Sequence, residues 1–178
     1  MIKFKKIKID KQKNIFQNIQ YLGKIYNLIK KYNNYLNDDY YSTYDLFEAI
    51  INLVIQTSPF FWVILQNEEF VGFVYLENLI GNKKHLHSAE IVTAFKRKFW
   101  GKTTKICAKK FITYCFKKLK FRKLKAVVFK ENFRTEAILK SCKMELEAEL
   151  KAETIKNKRL QDIKIYSIIR GKRKWKLF

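Results

Sequence analysis

Proline, glycine, cysteine and histidine are all scarce in this chain, and each scarcity closes off a class of protein. Pro59 is the only proline, and glycine occurs five times in 178 residues. A collagen-like repeat and a Gly/Pro-rich linker are therefore excluded. The three cysteines, Cys107, Cys115 and Cys142, include no Cys-x-x-Cys pair. They are too few for a disulfide framework and read as reduced thiols, small buried hydrophobes rather than nucleophiles. With only His85 and His87 present, no Ser-His-Asp order is credible. No third ligand stands at a zinc-like spacing either, so no metal site is expected. Long apolar runs are missing too. The longest, Phe60 to Leu65, falls far short of the roughly 20 residues a membrane span needs. Met1 to Lys13 alternates lysine with Ile and Phe and lacks the apolar centre of a secretory signal. The expected setting is the cytoplasm, with no membrane partner.

The most informative absence is of acid. Between Glu90 and Glu131 there is no Asp or Glu, while 14 Lys and Arg occur. Residues 1–92 carry 11 basic and 9 acidic side chains, and residues 93–178 carry 27 and 7. Nearly all of the formal charge of +22 therefore sits in the second half. Such a balance favours phosphates, nucleic acid or acidic substrates. Lysine, isoleucine, phenylalanine, asparagine and tyrosine make up about half the chain. All have A/T-rich codons, so base composition accounts for part of the lysine excess.

What remains is a chain rich enough to fold around a core: 48% apolar and 16% aromatic. Ile2, Phe4, Ile7 and Ile9 predict a first strand. Ile15, Ile19, Leu22, Tyr26 and Ile29 recur at helical spacing between Asn14 and Asn33. Ser42 or Asp45 is placed to cap a second helix running to about Ile55. Phe60–Gln66 and Phe70–Glu77, joined by Asn67-Glu68-Glu69, predict a β-hairpin. Asn78 to Lys84 predicts a turn, and Leu86 to Thr93 a further strand. The stripe Ala108, Phe111, Ile112, Cys115 and Leu119 predicts a helix from about Thr104, with Lys109, Lys110, Lys117 and Lys118 opposite. A strand over Leu124–Phe129, a short helix over Arg134–Cys142, and strands over Leu146–Thr154 and Ile163–Ile169 complete the chain. The order is β-α-α-β-β-β-α-β-α-β-β. It implies an α+β domain over residues 1–170, with one mixed, mostly antiparallel sheet and helices on both faces. Residues 171–178 form a basic tail.

This order resembles the Gcn5-related N-acetyltransferase superfamily, within it the ribosomal-protein alanine acetyltransferase-like branch. The residues that carry the resemblance are Phe61-Trp62-Val63-Ile64, Val71-Gly72-Phe73-Val74, Ser88-Ala89-Glu90-Ile91, Trp100-Gly101-Lys102, Glu131-Asn132-Phe133-Arg134-Thr135, Glu147-Ala148 and Asp162 with Tyr166. The resemblance implies an N-acyltransferase that uses acetyl-CoA and acetylates a primary amine of unknown class. The pyrophosphate would meet the loop and helix start at Trp100, Gly101, Lys102, Thr103, Thr104 and Lys105. Backbone N–H groups and a helix dipole suit an anion there, with Lys98 adding charge. Pantetheine would lie along Ile91, Val92 and Thr93, held also by Asn132. Glu90 is the candidate general base, against the plainer role of a strand residue facing a lysine. Only one loop glycine is present where the family usually has two. Leu139 stands where many members place a tyrosine, and Lys143-Met144 replaces a Gly-Phe pair.

A second function class stays open on the same fold. The acid-free stretch and the tail around Trp175 fit a nucleic-acid-binding or nucleic-acid-modifying protein, with acetyltransferase activity lost. Lys109, Lys110, Lys117, Lys118 and Lys174 would meet phosphates, and Trp175 would stack on a base. Oligomeric state is not legible.

Overall fold

A computed structural model describes residues 1–7, 15–36, 38–40, 47–82 and 85–171, with only the backbone of residues 15–19, 34 and 35. The elements run β1 (Ile2–Lys6), α1 (Ile15–Leu36), α2 (Phe47–Gln56), β2 (Phe61–Gln66), β3 (Glu69–Gly81), β4 (Leu86–Phe95), α3 (Lys102–Lys117), β5 (Lys123–Phe129), α4 (Phe133–Ser141), β6 (Glu145–Lys156) and β7 (Arg159–Ile169). A single-turn 3₁₀ helix over Arg97–Phe99 leads into α3. The expected order of elements is the observed one. Lys8, Ile9, Ser42 and Asp45 lie outside the described residues.

Seven strands form one sheet in the order β1-β2-β3-β4-β5-β7-β6. All neighbours are antiparallel except β4 and β5. β2 is apolar on both faces, as a strand covered on both sides must be. Phe61, Val63 and Leu65 pack with Leu22, Ile25 and Ile50 of α1 and α2. Trp62 and Ile64 pack on the other face with Phe111 and Cys115 of α3. Among the described residues, no helix is long and apolar enough to cross a membrane.

Several boundaries differ from expectation, each for a local reason. Asn78 to Gly81 is not a turn. β3 continues to Gly81 through a bulge, where pairing passes from Glu77 opposite Glu90 to Ile80 opposite Ser88. Asn78 absorbs the extra residue at φ +47, a conformation asparagine tolerates better than most residues. β6 and β7 run closer to their turn than expected, because Asn157 and Lys158 both adopt positive φ and close a two-residue hairpin without glycine. α1 extends past Asn33 but is bent at Tyr32 (φ −114°, ψ 20°).

The segment after α1 is tied to that last hairpin. The Asp38 carboxylate accepts from the Thr154 hydroxyl at 2.5 Å. Asp39 accepts from the backbone N–H groups of Asn157 and Lys158 at 2.9 and 2.8 Å. α4 is anchored by Glu136, which is buried. Its carboxylate takes the Lys164 ammonium at 2.6 Å and the Tyr166 hydroxyl at 3.0 Å. The hydrogen bond from Lys164 holds Glu136 below the usual carboxylate range.

Candidate active site

The site begins where two parallel strands part. β4 and β5 pair only from Ser88–Lys123 to Glu90–Lys125. β4 then runs on to Phe95 and β5 to Phe129, and the edges of Ile91 to Phe95 and Ala126 to Phe129 face a gap instead of each other. A cavity of about 1050 Å³ occupies that gap. Its walls include Glu90 to Phe95, Ala126 to Phe129, Tyr32, Asp38, Glu77, Asn78, Trp100, Gly101, Thr104, Lys105, Asn132 and Arg134.

At one end stands the N-terminus of α3. Gly101 is its N-cap, at φ +93° and ψ −117°, backbone that residues with a Cβ rarely adopt. No acid occurs in the first turn of α3, and the first N–H groups of a helix have no intrahelical acceptor. Trp100 lines the cavity at this end. Its indole N–H donates to the Phe95 carbonyl at 2.8 Å, and its ring lies 5.6 Å from Tyr32 and 5.2 Å from the Arg134 guanidinium. At the bend in α1, the Tyr32 hydroxyl accepts from the Arg97 N–H at 3.1 Å. A smaller pocket of about 390 Å³ opens beside it, lined by Gly101, Lys102, Lys105, Ile106 and Lys109.

At the other end stand carboxylates. Glu90 Oε1 is 3.0 Å from Lys125 Nζ, and its Oε2 accepts from the Asn78 amide at 2.9 Å. Glu77, directly opposite Glu90 on β3, also lines the cavity. Phe95 lies five residues along β4 from Glu90, about 17 Å of strand. The cavity is therefore anionic around Glu90 and cationic, through Arg97, Lys105 and Arg134, around the start of α3.

The structure brings Glu90, Ile91, Val92, Thr93, Trp100, Gly101, Thr104, Lys105 and Asn132 to one cavity, and Lys102 to the pocket beside it. Two expected cofactor residues line neither. Lys98 instead pairs with Glu69 on β3 and lies over the Phe99 ring, so the 3₁₀ turn points its charge elsewhere. Thr103 lies in the first turn of α3 and lines neither pocket. The Thr104 hydroxyl is committed to the Phe99 carbonyl at 2.9 Å. Asn132 caps α4, its Oδ1 accepting from the Thr135 N–H at 3.2 Å. Leu139, at the position where the resemblance implies a tyrosine, faces the cavity, and the Tyr166 hydroxyl is bound to Glu136. All three thiols are buried, and burial pushes Cys107 up to about 11. Neutral thiols of this kind are poor nucleophiles.

Glu77, Asp38 and Tyr32 join the site with no motif in the sequence to mark them, and Arg134, legible only as a neighbour of Asn132, joins them. Lys109, Lys110, Lys117 and Lys118 are exposed, but at about 100° per residue they fan over half the circumference of α3 rather than along one stripe. Lys174 and Trp175 lie outside the described residues. Charge alone speaks for nucleic acid.

A family model described as an acetyltransferase (GNAT) domain matches residues 26–145. The chain belongs to the GNAT acetyltransferase family. Among solved structures, a spermidine N-acetyltransferase variant from Vibrio cholerae is 21% identical, with a TM-score of 0.74 over 96% of this chain and 95% of that one. The same organism's spermidine N-acetyltransferase in complex with CoA and spermine is 22% identical, with a TM-score of 0.71 over 96% of each chain. A ribosomal-protein-alanine acetyltransferase from Vibrio fischeri is 14% identical, with a TM-score of 0.74 over 96% and 93%. At these identities the likeness is one of fold, and it does not separate one branch of the GNAT family from another. No curated protein matches the chain.

Proposed function

We propose that this GNAT domain moves an acetyl group from acetyl-CoA to a primary amine. The observation that carries the reading is the parting of β4 from β5 beside the unpaired start of α3. One feature is an extended edge with free backbone groups, the other a set of N–H donors in a basic surround. Together they suit a ligand that is a peptide-like arm at one end and a phosphate at the other. When bound, acetyl-CoA supplies a thioester as the acyl donor. The chain's own residues hold and orient it. Backbone N–H groups of α3 and the Lys102 and Lys105 ammoniums meet the phosphates. The β4 edge at Ile91 to Thr93 pairs with the amide groups of the arm, and one N–H there polarises the carbonyl oxygen. Glu90 accepts the proton that the attacking amine gives up, directly or through water. Leu139, which lines the cavity, carries no proton to give, so solvent would supply the one the departing thiolate needs.

Calorimetric titration with acetyl-CoA tests the reading. Saturable heat with a Kd well below millimolar is expected, and no heat at millimolar ligand would remove the cofactor site. Asn132 separates fold from cofactor. With Oδ1 used by the cap, its amide N–H₂ is left for a pantetheine carbonyl. Asn132→Ala should cost about 1 kcal/mol of stability as a lost cap and weaken acetyl-CoA binding as well. Asn132→Asp keeps the cap acceptor and loses the donor. It should restore the melting temperature and not the affinity, whereas recovery of both would leave Asn132 a cap only.

The neighbours named for spermidine and for a ribosomal-protein alanine bracket the acceptor between a small amine and a protein N-terminus.

A further inference from the structure

Glu77, Glu90 and Lys125 stand in one row across β3, β4 and β5, set by the pairing of Glu77 with Glu90 and of Glu90 with Lys125. Side chains alternate between the faces of a strand. Leu76, Ala89 and Leu124 belong to the α3 side, so the row lies on the side covered by α1 and α2, with Tyr75 and Val92. Within the row the charges do not balance. The Glu90 carboxylate is engaged by Lys125 and Asn78. Glu77 has neither hydrogen bond nor ion pair among the described residues, yet it lines the cavity. Burial, and then the charge of Glu90, push its pKa above the usual carboxylate value. In a chain of net charge +22, this half-buried carboxylate is left without a cation of its own, and an ammonium brought in from outside would hold it ionised.

The reacting amine cannot supply that cation. It must lose its charge before its lone pair can attack, so a substrate with one amine would leave Glu77 unanswered when the chemistry occurs. A substrate with a second ammonium would not. We infer that the acceptor is a small di- or polyamine, and that Glu77 holds its non-reacting ammonium while the other nitrogen is acetylated beside Glu90. This rests on the transferase reading above. In the transfer the nitrogen forms a C–N bond as the thioester C–S bond breaks. The proton lost by the nitrogen passes to Glu90, and one returns from solvent to the departing sulfur.

The test compares 1,4-diaminobutane, n-butylamine and an alanine-initiated tripeptide as acceptors for wild type and Glu77→Gln, with acetyl-CoA binding measured separately. Wild type should favour the diamine over butylamine at least tenfold in kcat/KM. Glu77→Gln should raise KM for the diamine tenfold or more with a smaller change in kcat, and should lower kcat/KM for the diamine at least fivefold more than for butylamine. Its melting temperature should hold or rise, because an unpaired half-buried charge is gone. A structural role for Glu77 would lower it. Equal losses on both amines, or a wild-type preference for butylamine or the tripeptide, would overturn the inference while leaving the transferase reading intact. If the cofactor binds but nothing turns over, or if the cofactor does not bind, direct titration of diamine and butylamine into both proteins decides. Diamine binding that is no tighter than butylamine binding, or unaltered by Glu77→Gln, would sink the assignment.

Discussion

Glu90→Gln is expected to lower kcat by about 100-fold or more while leaving acetyl-CoA affinity within about twofold. A loss of that size corresponds to about 2.7 kcal/mol of transition-state stabilisation. Glutamine keeps the length of the side chain and an oxygen for the Asn78 amide, which donates to Glu90 at 2.9 Å. It cannot take a proton. It also breaks the ion pair with Lys125, so the plainer role must be separated from the catalytic one. Lys125→Gln breaks the same pair from the other side and leaves the carboxylate in place. Steady-state rates and melting curves on both variants decide the matter. If Glu90 is the base, the two variants lose similar stability but only Glu90→Gln loses most of kcat. Equal, small effects on rate in both would reduce Glu90 to one half of a cross-strand pair.

The parts of this fold that were legible in the sequence are those specified by neighbouring residues. The β2–β3 hairpin follows from two apolar runs and an Asn-Glu turn, both of whose residues sit at positive φ. α3 follows from its apolar stripe, although it starts at Lys102, two residues before the expected Thr104, because Gly101 takes up the N-cap conformation there. Glu90 was legible because it lies in a motif with a recognisable order. Glu77 was not. Nothing distinguishes a glutamate at the end of an apolar run until strand register sets it opposite Glu90, and register is a pairing between residues 13 apart across a bulge. Asp38 and Asp39 read as loop acids. Their partners, Thr154, Asn157 and Lys158, lie more than a hundred residues away. Tyr32 read as one more helical aromatic in a chain full of them, and only the approach of Arg97 and Trp100 marks it. Lys98 erred the other way. Its place in a motif suggested a phosphate contact, and a 3₁₀ turn sent it to Glu69.

Gly72→Ala should be severely damaging, costing about 3 kcal/mol or more. Gly72 lies in the middle of β3, opposite Ile64 on β2 and Phe95 on β4. Its backbone is not in the left-handed region, so the penalty is steric. A Cβ there would lie 2.1 Å from the Ala94 carbonyl oxygen and 3.0 Å from the Phe95 Cα. Both obstacles are backbone and cannot swing aside. β3 and β4 would have to separate at the point where β4 forms the free edge of the cavity and where the Phe95 carbonyl receives the Trp100 indole. For a chain of this size such a cost lowers the melting temperature by roughly 6–12 °C. Acetyl-CoA affinity of the folded fraction should fall with it, because the edge that would pair with the cofactor is displaced. Gly23→Ala supplies the control. Gly23 is inside α1, and a Cβ there would meet nothing within 4 Å, so alanine should stabilise the helix by about 0.5–1 kcal/mol. Thermal melts of the two variants side by side separate a loss of strand spacing from any general intolerance of alanine for glycine. A Gly72→Ala protein that melts with wild type would mean that β3 and β4 can part without cost, and the rigid edge on which the cofactor site depends would be gone from the account.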